Sequence, residues 1–383
     1  MTPPASPLVE ALVRRIRTDG PLTVADYMAE ALGHPEHGYY ATRDPFGAAG
    51  DFVTAPEVSQ MFGELIGLWA LFNWMATGGP VPFNFAELGP GRGTLMADAL
   101  RAARIRPAFL DAMRLHLVET SPTLRDRQQE LLLPLTAGLE PPEWHDALND
   151  LPDGPLFLIA NEFFDALPVH QYERTPAGWR ERAIGFDATT GRLHWQHVPP
   201  GATLGLLDPG QRALPAGSIV EVAPSALTPA AEIGQRIVQH GGAALIVDYG
   251  ASLPTGVPTF QAVRRHLRHD PLDTPGEADL TAHIDFGAIA RAAGETGARV
   301  WGPIPQRVLL ERLGIRERAA QLGEDATADQ KADIEAALVR LLDETQMGNL
   351  FKAMAITVGD APPPGFAADE YDMPSQRGRD IEP

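Results

Sequence analysis

The stretch Glu87-Leu88-Gly89-Pro90-Gly91-Arg92-Gly93 lies between an apolar run, Val81 to Leu88, with strand character and a periodic segment, Thr94 to Arg104, with helix character. A strand that passes through closely spaced glycines into a helix sets backbone N–H groups and a positive helix end beside a ligand. Glycine is needed where the backbone must approach a ligand closely or take a positive φ. Further along, Leu115 to Glu119 reads as the next strand, and Leu156 to Ala160 and Ala243 to Asp248 read as strands buried on both faces. Leu350 to Val358 reads as a closing strand. Strands alternating with helices predict a parallel sheet with crossover helices, an open α/β fold.

Two acids flank the loop. Glu87 stands two residues before the first glycine, and Glu119 ends the following strand, where an acid binds a ribose diol. The dinucleotide fingerprint shares the second acid. Here, however, Thr94 occupies the position of the third glycine in Gly-x-Gly-x-x-Gly, and a carboxylate at Glu87 is badly placed beside a pyrophosphate. A cationic ligand end suits it. The sulfonium and amino group of S-adenosylmethionine are cationic, so this methyl donor is the expected cofactor rather than NAD.

Outward from this core, Leu8 to Gly79 is mostly helical. Ser6 and Pro7 open a short amphipathic helix, and Thr54-Ala55-Pro56-Glu57 reads as a capping box. After it, Val58, Met61, Phe62, Leu65, Trp69 and Phe72 recur on one helical face as core. Val169 to His197, punctuated by Pro176-Ala177-Gly178 and Thr189-Thr190-Gly191, reads as an inserted β-meander. The expected division is an N-terminal helical cap over 1–79, a core over 80–250 carrying the meander 169–197, a mixed insertion over 251–343, a closing strand over 344–358 and a flexible tail over 359–383. Asp285 is the expected N-cap of a helix ending at Gly294.

Among 383 residues, 44% are hydrophobic and 21% charged, as in a globular protein. A formal charge of −19 argues against a nucleic-acid surface, which needs a basic footprint. Without cysteine there is neither a disulfide nor a thiolate metal site, and displacement at a sulfonium requires no metal. No apolar run reaches the length needed to span a bilayer, and the N-terminus lacks a secretory pattern. A cytoplasmic location is expected, or the mitochondrial matrix for a eukaryotic source.

Leu156–Ala160 runs directly into Asn161-Glu162-Phe163-Phe164-Asp165. In open α/β sheets, ligands bind outside the carboxyl ends of strands, so these polar groups are expected to face the crevice. Methyl transfer needs an oriented nucleophile and exclusion of water. A guanidinium is a poor nucleophile, and carboxylates that fix its plane draw positive charge from the attacking nitrogen. Asn161, Glu162 and Asp165 are therefore the candidate catalytic residues, with helix capping by Asp165 as the competing reading. His283 and Asp285 are candidates for orienting substrate or accepting a proton, with stabilisation of the helix start as the competing reading. Trp144 is a candidate adenine-stacking indole, against a buried structural tryptophan.

These blocks together resemble the MidA family, whose mitochondrial members are complex I assembly factors with arginine methyltransferase activity. The matching stretches are Gly50–Gln60, Glu87–Gly93, Leu117–Pro122, Ala160–Pro168, Asp248–Gly250 and Gly276–Phe286, in order from about Pro21 to Ala355. The chain departs from the family's pattern over Ala251–Val257. The resemblance implies a class I, Rossmann-like S-adenosylmethionine-dependent methyltransferase sheet with an N-terminal helical cap and inserted β-meander and helical regions. It implies cofactor binding by Glu87, Gly89, Pro90, Gly91, Gly93 and Glu119, with Asp51, Thr54 and Glu57 lying against the cofactor. The acceptor it implies is arginine on a protein partner, a respiratory complex I subunit. A small-molecule or peptide methyltransferase, and an assembly factor whose catalysis is secondary, are the alternatives.

Overall fold

The computed structural model describes residues 6–42, 54–251 and 256–371. The chain forms two compact units. Val53–Phe164, Leu227–Gly250 and Phe286–Pro383 make one, and Met1–Phe52, Asp165–Ala226 and Ala251–Asp285 make the other.

The first unit is built on seven strands: β1 (Phe83–Leu88), β2 (Met113–Val118), β3 (Glu143–His145), β4 (Leu156–Asn161), β5 (Gly242–Ala251), β6 (Arg299–Pro305) and β7 (Phe351–Thr357). Their order is β6-β7-β5-β4-β1-β2-β3. Strands β1 to β5 run parallel, and β7 is antiparallel to both β5 and β6. The run of buried residues through β1 and β4 fits strands covered on both faces. Because β1 is flanked by β2 on one side and β4 on the other, the order reverses between β1 and β4. A crevice therefore opens at their carboxyl ends, where the glycine loop and Asn161-Glu162 lie.

The helix Gln60–Ala76 packs on Thr94–Ala103 so closely that a Cβ at Gly67 would stand 2.4 Å from Ala99 Cα. Only glycine allows that approach. Trp74, Phe83, Phe109 and Phe157 form a cluster of edge-to-face and tilted rings beneath it, geometry that adds to simple area burial.

Several expectations change here. The helix expected to start at Thr54 is two helices, Ala55–Val58 and Gln60–Ala76, separated by extended Ser59. Thr54 makes no capping hydrogen bond; Ser59 Oγ accepts from Met61 N at 3.2 Å instead. Replacing Ser59 by alanine should cost about 1 kcal/mol in chemical denaturation, and Thr54→Ala only a few tenths. Within the second helix Met61, Phe62, Leu65 and Trp69 are buried as expected, but Phe72, near its C-terminal end, is 49% exposed rather than in the core.

The helix Gln60–Ala76, grouped in the sequence reading with the N-terminal cap, belongs to the sheet unit, as does β6 from the stretch taken as an insertion. Both supply apolar surface to the sheet's own core. Of the tail expected to be flexible, residues up to Tyr371 are fixed. The Pro364 carbonyl accepts from Trp69 Nε1 at 3.0 Å, and Glu370 receives Arg312 through both oxygens at 2.7 and 3.1 Å. Sparse apolar content hid this, because the tail is held by hydrogen bonds and by one buried ring, Phe366.

In the second unit, the meander strands His170–Thr175, Gly178–Asp187 and Arg192–Val198 pair antiparallel, with Leu22–Thr23 and Ile219–Val222 completing the sheet. Helices Pro7–Asp19 and Val24–Gly33 share a core with it through Leu12, Tyr27, Met28 and Ile184. Ser6 caps the first helix as expected, accepting from Val9 N at 3.3 Å. A three-stranded sheet, Gln261–Arg264, Leu267–His269 and Asp279–Thr281, joins the same unit.

Candidate active site

Beyond Leu88 the chain turns through Gly89, Gly91 and Gly93 with φ of +61°, +54° and +82°, a conformation side chains rarely tolerate. At Gly89 a Cβ would also stand 3.1 Å from the Phe163 ring. Gly93 N donates to the Pro90 carbonyl at 2.7 Å and closes the loop. Gly93 is the left-handed N-cap of Thr94–Ala103 and supplies no side-chain cap. The helix thus offers its first N–H groups and positive end at the loop.

Glu87 is 2% exposed, and its Oε2 has no hydrogen-bond partner among the described residues. Burial pushes its carboxyl up to about 8. A buried acid with an unmet oxygen is complementary to a cation, which would restore its charge. The same holds for the next strand end, where Asn161 Oδ1 is also buried without a partner among the described residues. The residues therefore fit a ligand with a cationic amino-acid end. Without that ligand, ionising Glu87 opposes folding. The folded protein holds the proton between the ordinary 4.5 and about 8 while the unfolded chain releases it, so stability falls as pH rises through that window. Glu87→Gln should remove this slope, raising the melting temperature of the ligand-free protein at pH 9 relative to the parent and changing it little at pH 4.

Glu119 is held at the end of β2. Its Oε1 accepts from Ser121 N at 2.8 Å, and its Oε2 accepts from Gln128 Nε2 at 3.3 Å. Burial raises its pKa, partly offset by those two donors and by Arg125. Gln128, on the helix Pro122–Leu132, was not singled out from the sequence. Its Nε2 also donates to the Gly91 carbonyl at 2.7 Å, and its Oε1 accepts from Trp144 Nε1 at 2.8 Å. It thereby ties the glycine loop to Glu119, while Trp144 packs against the sheet's core. No motif marks such a residue. Its position two turns into the helix after Glu119 is the one available signal.

Glu57 also points to the loop, but in another way than expected. Its Oε1 accepts from Thr94 Oγ1 at 2.6 Å, and its Oε2 lies 3.6 Å from Arg92 Nη1. Together with the absence of a Thr54 side-chain bond, this replaces the capping box: Glu57 braces the loop's last residues. Gly50–Val53, with Asp51, lie outside the described residues.

At the end of β4, Glu162 takes φ +52°, unusual for a residue with a side chain. Its N–H donates to the Val247 carbonyl at 2.9 Å, which holds it there. The carboxylate Oε1 accepts from Ala55 N at 3.2 Å and Asn161 Nδ2 at 3.3 Å. Burial raises its pKa to about 7, against the two donors and the charge of Arg340. Beneath this turn, Asp248 Oδ2 accepts from Phe164 N at 2.8 Å and its Oδ1 from Tyr249 N at 2.7 Å. The fully buried Asp248 is thus the peg on which the Asn161–Phe164 turn hangs.

Asp165 falls in the other unit. Its carbonyl accepts from Ala282 N at 3.1 Å. Desolvation first, then the charge of Asp279 and then that of Asp165, raises the phenol of the partly buried Tyr40 far above its ordinary value. Tyr40 donates to Asp279 at 3.1 Å. The described geometry therefore groups Asn161 with Glu162, and Asp165 with Tyr40 and Asp279. His283, in that same unit, donates its N–H to Thr259 Oγ1 at 2.8 Å, and burial lowers its pKa. The helix Phe286–Gly294 begins directly after Asp285, where the sequence put its start.

The sheet order, the loop and its buried acids are those of a nucleoside-cofactor methyltransferase, and the chain belongs to a family of S-adenosyl-L-methionine-dependent methyltransferases that matches residues 65–304. It is similar to "Protein arginine methyltransferase NDUFAF7, mitochondrial" of Homo sapiens, at 37% identity over 92% of this chain and 84% of that protein. The Xenopus laevis protein of the same name is 39% identical over the same shares. Among solved structures, a Burkholderia thailandensis protein bound to S-adenosyl-homocysteine is 28% identical with a TM-score of 0.81, covering 94% of this chain and 93% of that one. The chain is an S-adenosylmethionine-dependent methyltransferase, as the MidA resemblance implied. No helix among the described residues is long and apolar enough to cross a membrane.

Proposed function

We propose that the chain methylates arginine on a protein substrate. The observation that carries this reading is the half-buried Glu162 carboxylate at the end of β4, beside Asn161 and one strand away from the glycine loop. Bound S-adenosylmethionine supplies an electrophilic methyl group, and its sulfur keeps the bonding electrons when that group leaves. Glu87 would balance the cofactor's positive end, the loop Gly89–Gly93 and the helix N-terminus behind it would hold it, and Glu119 would bond the ribose diol. Thr54 and Glu57, the latter bonded to Thr94, would be further polar contacts for the cofactor. Glu162 pairs with the guanidinium and fixes its plane, and Asn161 Oδ1 accepts one of its N–H groups. As the nitrogen takes the methyl it must shed a proton, and a carboxyl with a pKa of about 7 is well matched to accept it at neutral pH. Asp165, grouped with Tyr40 and Asp279, stands as a further acidic contact for a cationic substrate.

The names of the relatives support arginine as acceptor, and the resemblance adds a respiratory complex I subunit as the partner. The compartment we propose is the bacterial cytoplasm or, in a eukaryotic source, the mitochondrial matrix. Incubation with isotopically labelled methyl donor and a cell lysate, followed by mass spectrometry, tests the reading. Methylated arginine in a protein is expected; label confined to small metabolites would overturn it.

A further inference from the structure

At the far edge of the methyltransferase sheet, one face carries three metal-ligating side chains. His116 lies on β2, and Glu143 and His145 lie on β3. The register sets His116 opposite Glu143 and Val118 opposite His145. Alternation along each strand therefore puts all three on one face and Trp144 on the other. One ring nitrogen from each imidazole and one carboxylate oxygen lie within 4.8 Å of one another. His116 Nδ1 is 3.0 Å from His145 Nε2, and Glu143 Oε2 is 3.9 Å from each histidine.

The neighbouring strand fixes how His116 presents itself. Asn84 on β1 donates through Nδ2 to the Pro152 carbonyl at 2.9 Å, so its Oδ1 is an acceptor, and it faces His116 Nε2 at 3.2 Å. His116 thus carries its proton on Nε2 and turns the Nδ1 lone pair toward the cluster. Metal-bound imidazoles have this same arrangement, with the remote N–H given to a carbonyl that holds the ring in place. Two nitrogens each about 2.1 Å from a tetrahedral ion stand about 3.4 Å apart, so the 3.0 Å separation need widen by only a few tenths of an ångström.

We propose that His116, Glu143 and His145 form a binding site for a divalent ion of the zinc type, clamping the short edge strand β3 to β2. Two imidazoles and a carboxylate make a zinc ligand set with a position left for water, whereas magnesium and calcium favour oxygen donors. The ion takes no part in methyl transfer. Its effect is on the strand ends: the His145 carbonyl accepts from Glu119 N at 3.0 Å and from Arg125 Nη2 at 2.9 Å. Fixing His145 therefore also fixes the segment that carries Glu119.

The test uses the whole chain, stripped with chelator and titrated with zinc chloride by calorimetry, with magnesium chloride alongside. One equivalent of zinc and a raised melting temperature are expected, with no response to magnesium. His145→Ala should lose that equivalent. Glu143→Gln, at a carboxylate whose side chain is 57% exposed and so separable from folding, should weaken it by about tenfold or more. Absence of stoichiometric zinc uptake by the parent, or parent-like affinity in His145→Ala, would overturn the site.

Discussion

Glu162→Gln is expected to bind S-adenosylmethionine within about twofold of the parent while methyl transfer falls by about 10²- to 10⁴-fold, the range for losing a positioned proton acceptor. The amide is nearly isosteric, and its Oε1 can still accept from Ala55 N and Asn161 Nδ2, so the turn and its φ of +52° survive. What is lost is the charge that orients a guanidinium and the site that takes its proton. The pH profile separates the two states further. With a pKa of about 7, ionisation of Glu162 makes parent turnover rise with pH through neutrality, and the amide removes that limb. Single-turnover kinetics with labelled methyl donor, alongside calorimetry for the cofactor, read both quantities. Turnover near the parent's rate would remove Glu162 from the reaction.

Cofactor affinity should itself depend on pH through Glu87. In the ligand-free protein this carboxyl is protonated below about 8, and a cationic ligand binds its ionised form. Binding below that pH therefore releases a proton, and affinity weakens by up to roughly tenfold for each unit of pH lost. Glu87→Gln should bind S-adenosylmethionine more weakly at pH 8 and should lack the proton release. The ligand's own amino group titrates identically against both proteins, so the difference between their profiles isolates Glu87. Calorimetry in two buffers of different ionisation enthalpy counts the proton directly. Parallel profiles for parent and variant would show that Glu87 does not face the cation.

How much of this was legible in the sequence follows from how local each feature is. The glycine loop, the buried strands and the acids at strand ends are encoded in a few adjacent residues, and β1, β2, β4, β5 and β7 fall within a few residues of where the apolar runs put them. Glu57 was found as a polar residue near the loop, yet its partners, Thr94 and Arg92, are distant in sequence and replaced the local capping box. Ser59 broke a helix that periodicity drew as continuous, because one extended residue leaves the apolar spacing on either side intact. Gln128 and Asp248 organise the site through bonds to Gly91, Glu119 and Phe164. Such long-range pairings leave no period in the sequence. Asp165 lies three residues from Glu162, but the chain leaves the sheet unit between them, which proximity in sequence could not reveal.

The placement of β7 also bears on how the protein is made. Among the described residues β6 pairs along its length with β7 alone, apart from one bridge between Trp301 and Tyr371, and β7 stands between β6 and β5. On the ribosome, β1 to β5 emerge in an order that lets each find a partner. β6 then waits beside an unfilled slot, and β5 keeps an open edge, until Phe351–Thr357 has been synthesised. An open edge next to an unpaired strand is the state in which nascent chains pair with one another. Chaperone demand during synthesis should therefore peak late, over the interval that separates β6 from β7.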